Sequence, residues 1–254
     1  MIFPISNIHE SLKNLGLGRT DTVMIHGDAG LAAQYKWNTS EDQVTEFLST
    51  IISYFDKGTV IVPTFSYSAT KGEVFIPLKT PSEVGLFSEK FRLLKGVKRS
   101  HHSIFSVGCI GVKAKLFSES STKDCFGPET FFDKFHKNNG KILTLGCSFD
   151  RVTFVHYVEQ SAGVPYRYLK QFNSIVQTGT KINKEKVSYF VRDLNLDTEI
   201  NLKLLEDTAI NDDKMIKSRF GRYTARLISA FDFYDIAIKL LDKNQHALIK
   251  ESFK

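Results

Sequence analysis

Cysteine is scarce in this chain and has no pattern: the three residues, Cys109, Cys125 and Cys147, are neither an even set nor spaced as CxxC. That argues against a disulfide framework and a thiolate zinc site, and it fits a reducing cytoplasm. Long apolar runs are missing as well. No stretch approaches the roughly 20 residues that a membrane-spanning helix needs. The start, Met1-Ile2-Phe3-Pro4-Ile5-Ser6-Asn7, lacks the basic region and apolar run of a signal peptide. A cytoplasmic protein without a membrane anchor is expected. Clusters of basic residues are absent too, and no zinc-finger, RNP or basic-helix pattern occurs, so no nucleic-acid partner is expected. With no repeat, low-complexity tract or linker, residues 1–254 are read as a single domain.

What the chain does have is an ordinary globular composition, 42% hydrophobic and 24% charged. Its net charge of +6 favours anionic ligands, phosphorylated small molecules among them. Ser6 to Leu17 reads as a short amphipathic helix, and Asp21 to His26 as a buried strand left through a turn at Gly27-Asp28-Ala29-Gly30. A second helix is expected to begin at Ser40, with Glu41 and Asp42 in its first turn, and to run to Phe55. Gly58 to Pro63 is a β-branched strand, completing a βαβ-like start. Thr64 to Thr80 reads as a long irregular segment, of the kind that often carries function.

Further on, a helix at Val84 to Leu94 leads to Lys98-Arg99-Ser100-His101-His102-Ser103 and a strand at Ile104 to Val112. A helix near Thr130 to His136 precedes a third buried strand, Lys141 to Gly146. Hairpin pieces are expected at Phe172 to Thr178 and Lys186 to Val191, then a strand at Tyr223 to Leu227 and a final helix to Leu241. The fold class is α/β: a mixed central sheet flanked by helices, with an elaborated, mostly antiparallel second half.

One stretch concentrates reactive side chains. Thr153, His156 and Glu159 recur every three residues, so on a helix they are surface neighbours beside an apolar stripe of Phe154, Val155, Val158 and Ala162. The stretch starts just past a predicted strand, where ligands of α/β sheets sit. His156 is a candidate general base with Glu159 as its orienting acid, and Glu159 is expected to raise the His156 pKa and fix its tautomer. His-x-x-Glu also suits a metal, but the other histidines are not at ligand spacing, so no metal is expected. Cys147 reads as a buried, inert thiol.

The order of motifs resembles the aminoglycoside 3-N-acetyltransferase family, also called the antibiotic N-acetyltransferase type. The resemblance rests on Leu15-Gly16-Leu17-Gly18 before Asp21 to His26, Gly58 to Ser66, Arg99-Ser100-His101-His102-Ser103 to Gly108, Phe126-Gly127-Pro128-Glu129-Thr130, and Thr153-x-x-His156-x-x-Glu159. It implies transfer of an acyl group from acyl-CoA, acetyl-CoA or a longer one, to an amine on a sugar. It also implies His156, Glu159, Thr153 and His102 in the catalytic centre, His101 standing next to the last. His26, Gly27, Thr64 and Ser106 are implied on the cofactor side, with an N–H near Thr64 or the Thr153 hydroxyl as oxyanion donor. The chain departs from the family pattern at Gly27-Asp28, where paired serines are usual, and at Ser103, where proline is usual.

A polycationic aminoglycoside calls for acidic surface, whereas nucleotide-linked amino sugars and coenzyme A are anionic. The +6 charge therefore favours a nucleotide-linked amino-deoxy sugar destined for surface polysaccharide, with antibiotic acetylation as the alternative. A non-catalytic sugar- or nucleotide-binding protein is the alternative of another class.

Overall fold

The structure, a computed structural model, describes residues 2–37 and 42–250. The chain opens with α1 (Ser6–Asn14), whose Ile8 and Leu12 face inward, and Gly16, at φ +77°, turns it towards β1 (Thr22–Gly27). A 3-10 turn at Ala29–Gln34 follows. The expected helix start at Ser40 and Glu41 lies outside the described residues. α2 (Gln43–Tyr54) is capped by Asp42, whose carboxylate accepts the Thr45 N–H at 3.1 Å. Next come β2 (Thr59–Pro63), β3 (Val74–Phe75), α3 (Leu86–Leu93), β4 (Lys98–Arg99), β5 (Val107–Gly111), α4 (Ala114–Ser118) and α5 (Phe131–Lys137). β6 (Lys141–Leu145) leads through a 3-10 turn, Phe149–Arg151, to α6 (Val155–Ala162). β7 (Arg167–Thr178), β8 (Lys181–Arg192), α7 (Lys203–Asn211), β9 (Met215–Phe220), β10 (Tyr223–Ser229) and α8 (Ala230–Lys243) complete the order.

Seven strands form a mixed sheet in the order β4-β5-β2-β1-β6-β10-β9. β2, β1 and β6 are parallel, and antiparallel strands extend the sheet on both sides. Side-chain alternation along the strands separates two cores. Met24, Ile61 and Ile142 pack with α6 and α8, whereas Val23, Ile25, Val60, Val62, Leu143 and Leu145 pack with α1, α2 and α3. A second sheet, β3-β7-β8, stands beside the first, its long hairpin in register from Arg167↔Arg192 to Thr178↔Lys181.

Several expectations change in detail. The Thr64 to Thr80 segment contains a 3-10 turn, Ser68–Lys71, and the short β3 paired to β7. The hairpin extends beyond both expected pieces. α7 and β9 have no counterpart among the expected elements. Ala162 is exposed, so the inward stripe of α6 ends before it. No helix among the described residues is long and apolar enough to cross a membrane.

The entry to β2 is tight. A Cβ on Gly58 would stand 2.4 Å from the Asp21 carbonyl oxygen and 2.8 Å from that of Arg19. The Thr59 N–H donates to the same Asp21 carbonyl at 2.9 Å, so the backbone cannot retreat without losing that bond. Gly58→Ala is expected to destabilise the chain by about 1–3 kcal/mol. An unchanged midpoint in urea denaturation would mean that the Arg19 to Asp21 loop yields freely.

Candidate active site

α6 places Glu159 wholly inside the protein, with no exposed side-chain surface. Ionised, such a carboxylate is costly unless its oxygens are fully engaged, and here they are. Oε2 lies 2.6 Å from His156 Nδ1 and 2.7 Å from Arg167 Nε, and Oε1 accepts the Tyr166 hydroxyl at 2.9 Å. His156 is one turn back on the same helix, while Tyr166 and Arg167 stand at the start of β7. Burial works against the Glu159 charge, but the His156 bond, the Arg167 charge and the Tyr166 bond outweigh it and hold its pKa low.

With an ionised Glu159 as acceptor, the His156 proton sits on Nδ1 and the Nε2 lone pair is left free. The His156 side chain is 20% exposed, so solvent reaches it, and its ring lies 5.7 Å from that of Phe126. Glu159 raises the His156 pKa as expected, yet the net shift is downward. Burial outweighs the Glu159 bond and charge, and the Arg167 charge acts in the same direction as burial.

The remaining expected catalytic residues are placed differently. Thr153 lies in the turn before α6, and the His156 N–H donates to its carbonyl at 3.0 Å. His102 is buried with both nitrogens engaged. Nδ1 accepts the N–H groups of Ile104 at 3.1 Å and Phe105 at 2.9 Å, and Nε2 donates to the Asp124 carbonyl at 3.1 Å. Neither nitrogen is free for a substrate, which corrects the expectation that His102 does chemistry. It pins the segment at 102–105 to Asp124, whose carboxylate also accepts Gln160 of α6 at 3.2 Å. His101 is exposed.

Thr64 and Ser106 form a buried polar knot with Arg99. The Thr64 N–H donates to the Ser106 carbonyl at 2.9 Å, the Ser106 hydroxyl donates to the Thr64 carbonyl at 2.7 Å, and Arg99 Nε reaches both hydroxyls at 3.2 and 3.1 Å. The Thr64 N–H is therefore committed within the fold and does not serve as an oxyanion donor. Arg99, Tyr166 and Arg167 were missed as site-shaping groups. Arg99 stood within a quoted motif, whereas the other two carried no local signal.

A cavity of about 890 Å³ opens at the carboxyl ends of β1, β2 and β6, bounded by His26, Gly27, Pro63, Gly146 and Thr153. Phe65 and Tyr67 line it and continue through Phe105 and Phe126 as a run of ring contacts to His156. His26 is buried, its Nε2 has no hydrogen-bond partner, and burial lowers its pKa to about 4. Gly27 is required for packing, since a Cβ there would stand 2.7 Å from the Phe87 ring. Asp28 is turned onto the Gly30 N–H at 2.7 Å. Cys147 donates to the His26 carbonyl at 3.3 Å, and burial raises its pKa to about 11, which fits an inert thiol.

A mixed sheet with a cavity at the ends of its parallel strands, and a carboxylate-held histidine linked to that cavity through a run of aromatic contacts, is the layout of an α/β protein that handles a ligand at the strand ends. A family model described as aminoglycoside 3-N-acetyltransferase matches residues 32–242, and the chain belongs to that family. An aminoglycoside N(3)-acetyltransferase IV from Salmonella sp is 30% identical over 139 residues, 54% of this chain and 51% of the relative. The match thus spans about half the length of that curated relative. The apoenzyme of aminoglycoside acetyltransferase AAC(3)-IVa superposes with a TM-score of 0.79 at 21% identity, covering 99% of this chain and 93% of that one. AAC-IIIb, solved as a binary complex with CoASH, gives 0.79 at 19% identity, covering 99% and 100%. At these identities the structural matches speak to the fold.

Two buried neutral histidines carry a consequence for stability. Burial is the main cause that lowers His26 and His102 each to about 4, against an ordinary value of 6.5. With the folded pKa depressed, the unfolded chain binds more protons between those values. The stability that both groups support is complete above pH 6.5 and is lost as pH falls towards 4. Urea midpoints are expected to fall across that window, less steeply in His102→Ala; equal slopes would remove His102 from the account.

Proposed function

We propose that the chain is an acyl-CoA-dependent N-acetyltransferase acting as one domain, and that its substrate is an amino sugar of the aminoglycoside class. The observation that carries this reading is the 2.6 Å contact between His156 Nδ1 and a Glu159 carboxylate that is itself buried and fixed by Tyr166 and Arg167. It leaves Nε2 as a neutral base. The incoming amine attacks the thioester carbonyl, His156 Nε2 takes the proton lost from nitrogen, and the C–S bond breaks to release coenzyme A. The proton then passes from His156 to the departing thiolate. Glu159 stabilises the imidazolium formed in between, the role of an orienting acid.

The cavity at the strand ends supports an acyl donor there. Ile25, Phe65 and Phe87 supply apolar wall for an alkyl arm, and neutral His26 offers a polar partner. The AAC-IIIb complex with CoASH supports the same donor class.

For the acceptor, the comparisons favour the aminoglycoside reading over the nucleotide-linked amino sugar. The family is named for aminoglycosides, AAC(3)-IVa has been solved with a gentamicin, and AAC-VIa with sisomicin. Nothing among them points to a nucleotide-linked substrate. Net charge misleads on this point because a ligand meets the local charge of its own site rather than the total.

Thiol release from acetyl-CoA, followed with gentamicin, sisomicin and nucleotide-linked amino sugars, tests donor and acceptor together. Turnover with aminoglycosides is expected. Release with none of these amines would favour a binding protein. His156→Ala is expected to lower kcat/KM by roughly 10²–10⁴-fold, and an unaffected rate would sink the base assignment. Activity should rise with pH through a limb below 6.5, since His156 is held below that value. In Glu159→Gln that limb should move lower still, because the anion that raises the His156 pKa is gone.

A further inference from the structure

A second cavity, about 860 Å³, lies where the tip of the β7–β8 hairpin approaches β4 at the outer edge of the main sheet. It shares no lining residue with the cavity at the strand ends. Its charge is unusual in one respect. Arg99, on its wall, is 7% exposed and bonded only to neutral groups: the carbonyls of Pro77, Thr80 and Thr64 and the hydroxyls of Thr64 and Ser106. The Phe75 ring lies 4.8 Å from the guanidinium carbon. Glu89, whose charge reaches Arg99, is bonded through both oxygens to Arg92. A buried cation with no carboxylate bonded to it projects its field into the adjoining space, where screening is weak.

The opening adds to that field. Lys98 from β4 and Lys181 from β8 line it, are exposed, and form no ion pair among the described residues. Two carboxylates, Glu119 and Glu185, are also present, and Glu185 accepts the Thr122 hydroxyl at 2.5 Å. Three permanent cations thus face two carboxylates. The lining also includes the apolar side chains of Leu78, Val97 and Val176.

We propose that this cavity is a binding site for a nucleoside phosphate, separate from the acyl-donor cavity. The phosphates lie between Lys98 and Lys181, within the field of Arg99, and the base rests on the ledge of Leu78, Val97 and Val176. The inference is independent of the proposed acyl transfer, since it uses neither His156 nor the strand-end cavity.

Isothermal titration of the full chain at low salt, with inorganic pyrophosphate and with ADP, tests it. Both probes are expected to bind, ADP more tightly because it also uses the ledge, and added salt should weaken both. The double variant Lys98→Ala/Lys181→Ala, altered only at exposed side chains, is expected to bind at least tenfold more weakly. Lys98→Arg/Lys181→Arg should restore binding. The proposal is overturned if neither probe binds the native chain, or if the alanine variant, shown folded by circular dichroism, binds as tightly as the native chain. Equal affinity for the two probes would overturn the placement of the base.

Discussion

The candidate active site depends on the state of one buried carboxylate. Glu159 is charged in an environment that disfavours charge, and it stays so because His156, Arg167 and Tyr166 engage its two oxygens. The same contacts join α6 to the first residues of β7, so the element bearing the histidine is fastened to the hairpin by polar bonds as well as by apolar packing. Removing the carboxylate would strand Arg167 as well as release His156, since Arg167 has only 4% of its side chain exposed. Orientation of the base and integrity of this junction therefore share one origin.

Much of this was legible in the chain, for identifiable reasons. Helical spacing brings residues three apart together, and His156 and Glu159 meet as that spacing predicts. Thr153 stands in the turn before the helix, which begins at Val155, at a point that no local pattern marks. The effect of Glu159 on the His156 pKa was legible, but the larger and opposite effect of burial was not, because a nearby carboxylate is visible in sequence and burial is not. His102 stood in a recognisable motif, but the return of the Ile104 and Phe105 N–H groups onto its ring is a property of backbone path. Tyr166 and Arg167 lie beyond the bend at Gly163 and Pro165, and only the fold brings them back to Glu159.

The same contrast holds for whole elements. β1, β2 and β6, buried on both faces, are short runs rich in Val, Ile and Leu, and they read clearly as strands. β9 is buried only at its ends, Met215 and Phe220, and is exposed at Ile216, Lys217 and Arg219, and α7 mixes Lys203, Glu206 and Asp207 with its apolar residues. Both are half-solvated elements whose apolar signal is thin. Net charge was the least transferable clue. In physiological salt a charge is felt over roughly 8 Å, so +6 spread across 254 residues leaves the character of each cavity to its own walls.

The position of β6 has a consequence for how the chain reaches this structure. One edge of β6 pairs with β1, already made, but the other waits for β10, which begins at Tyr223. During vectorial synthesis an apolar strand with an open edge must persist while residues 146–222 are added, the whole β7–β8 hairpin among them. Such an edge is a template for mispairing with other chains. The late arrival of β10 thus makes the segment from Tyr223 onward an intramolecular guard of the sheet's centre, and aggregation of nascent or truncated chains the natural failure of this topology.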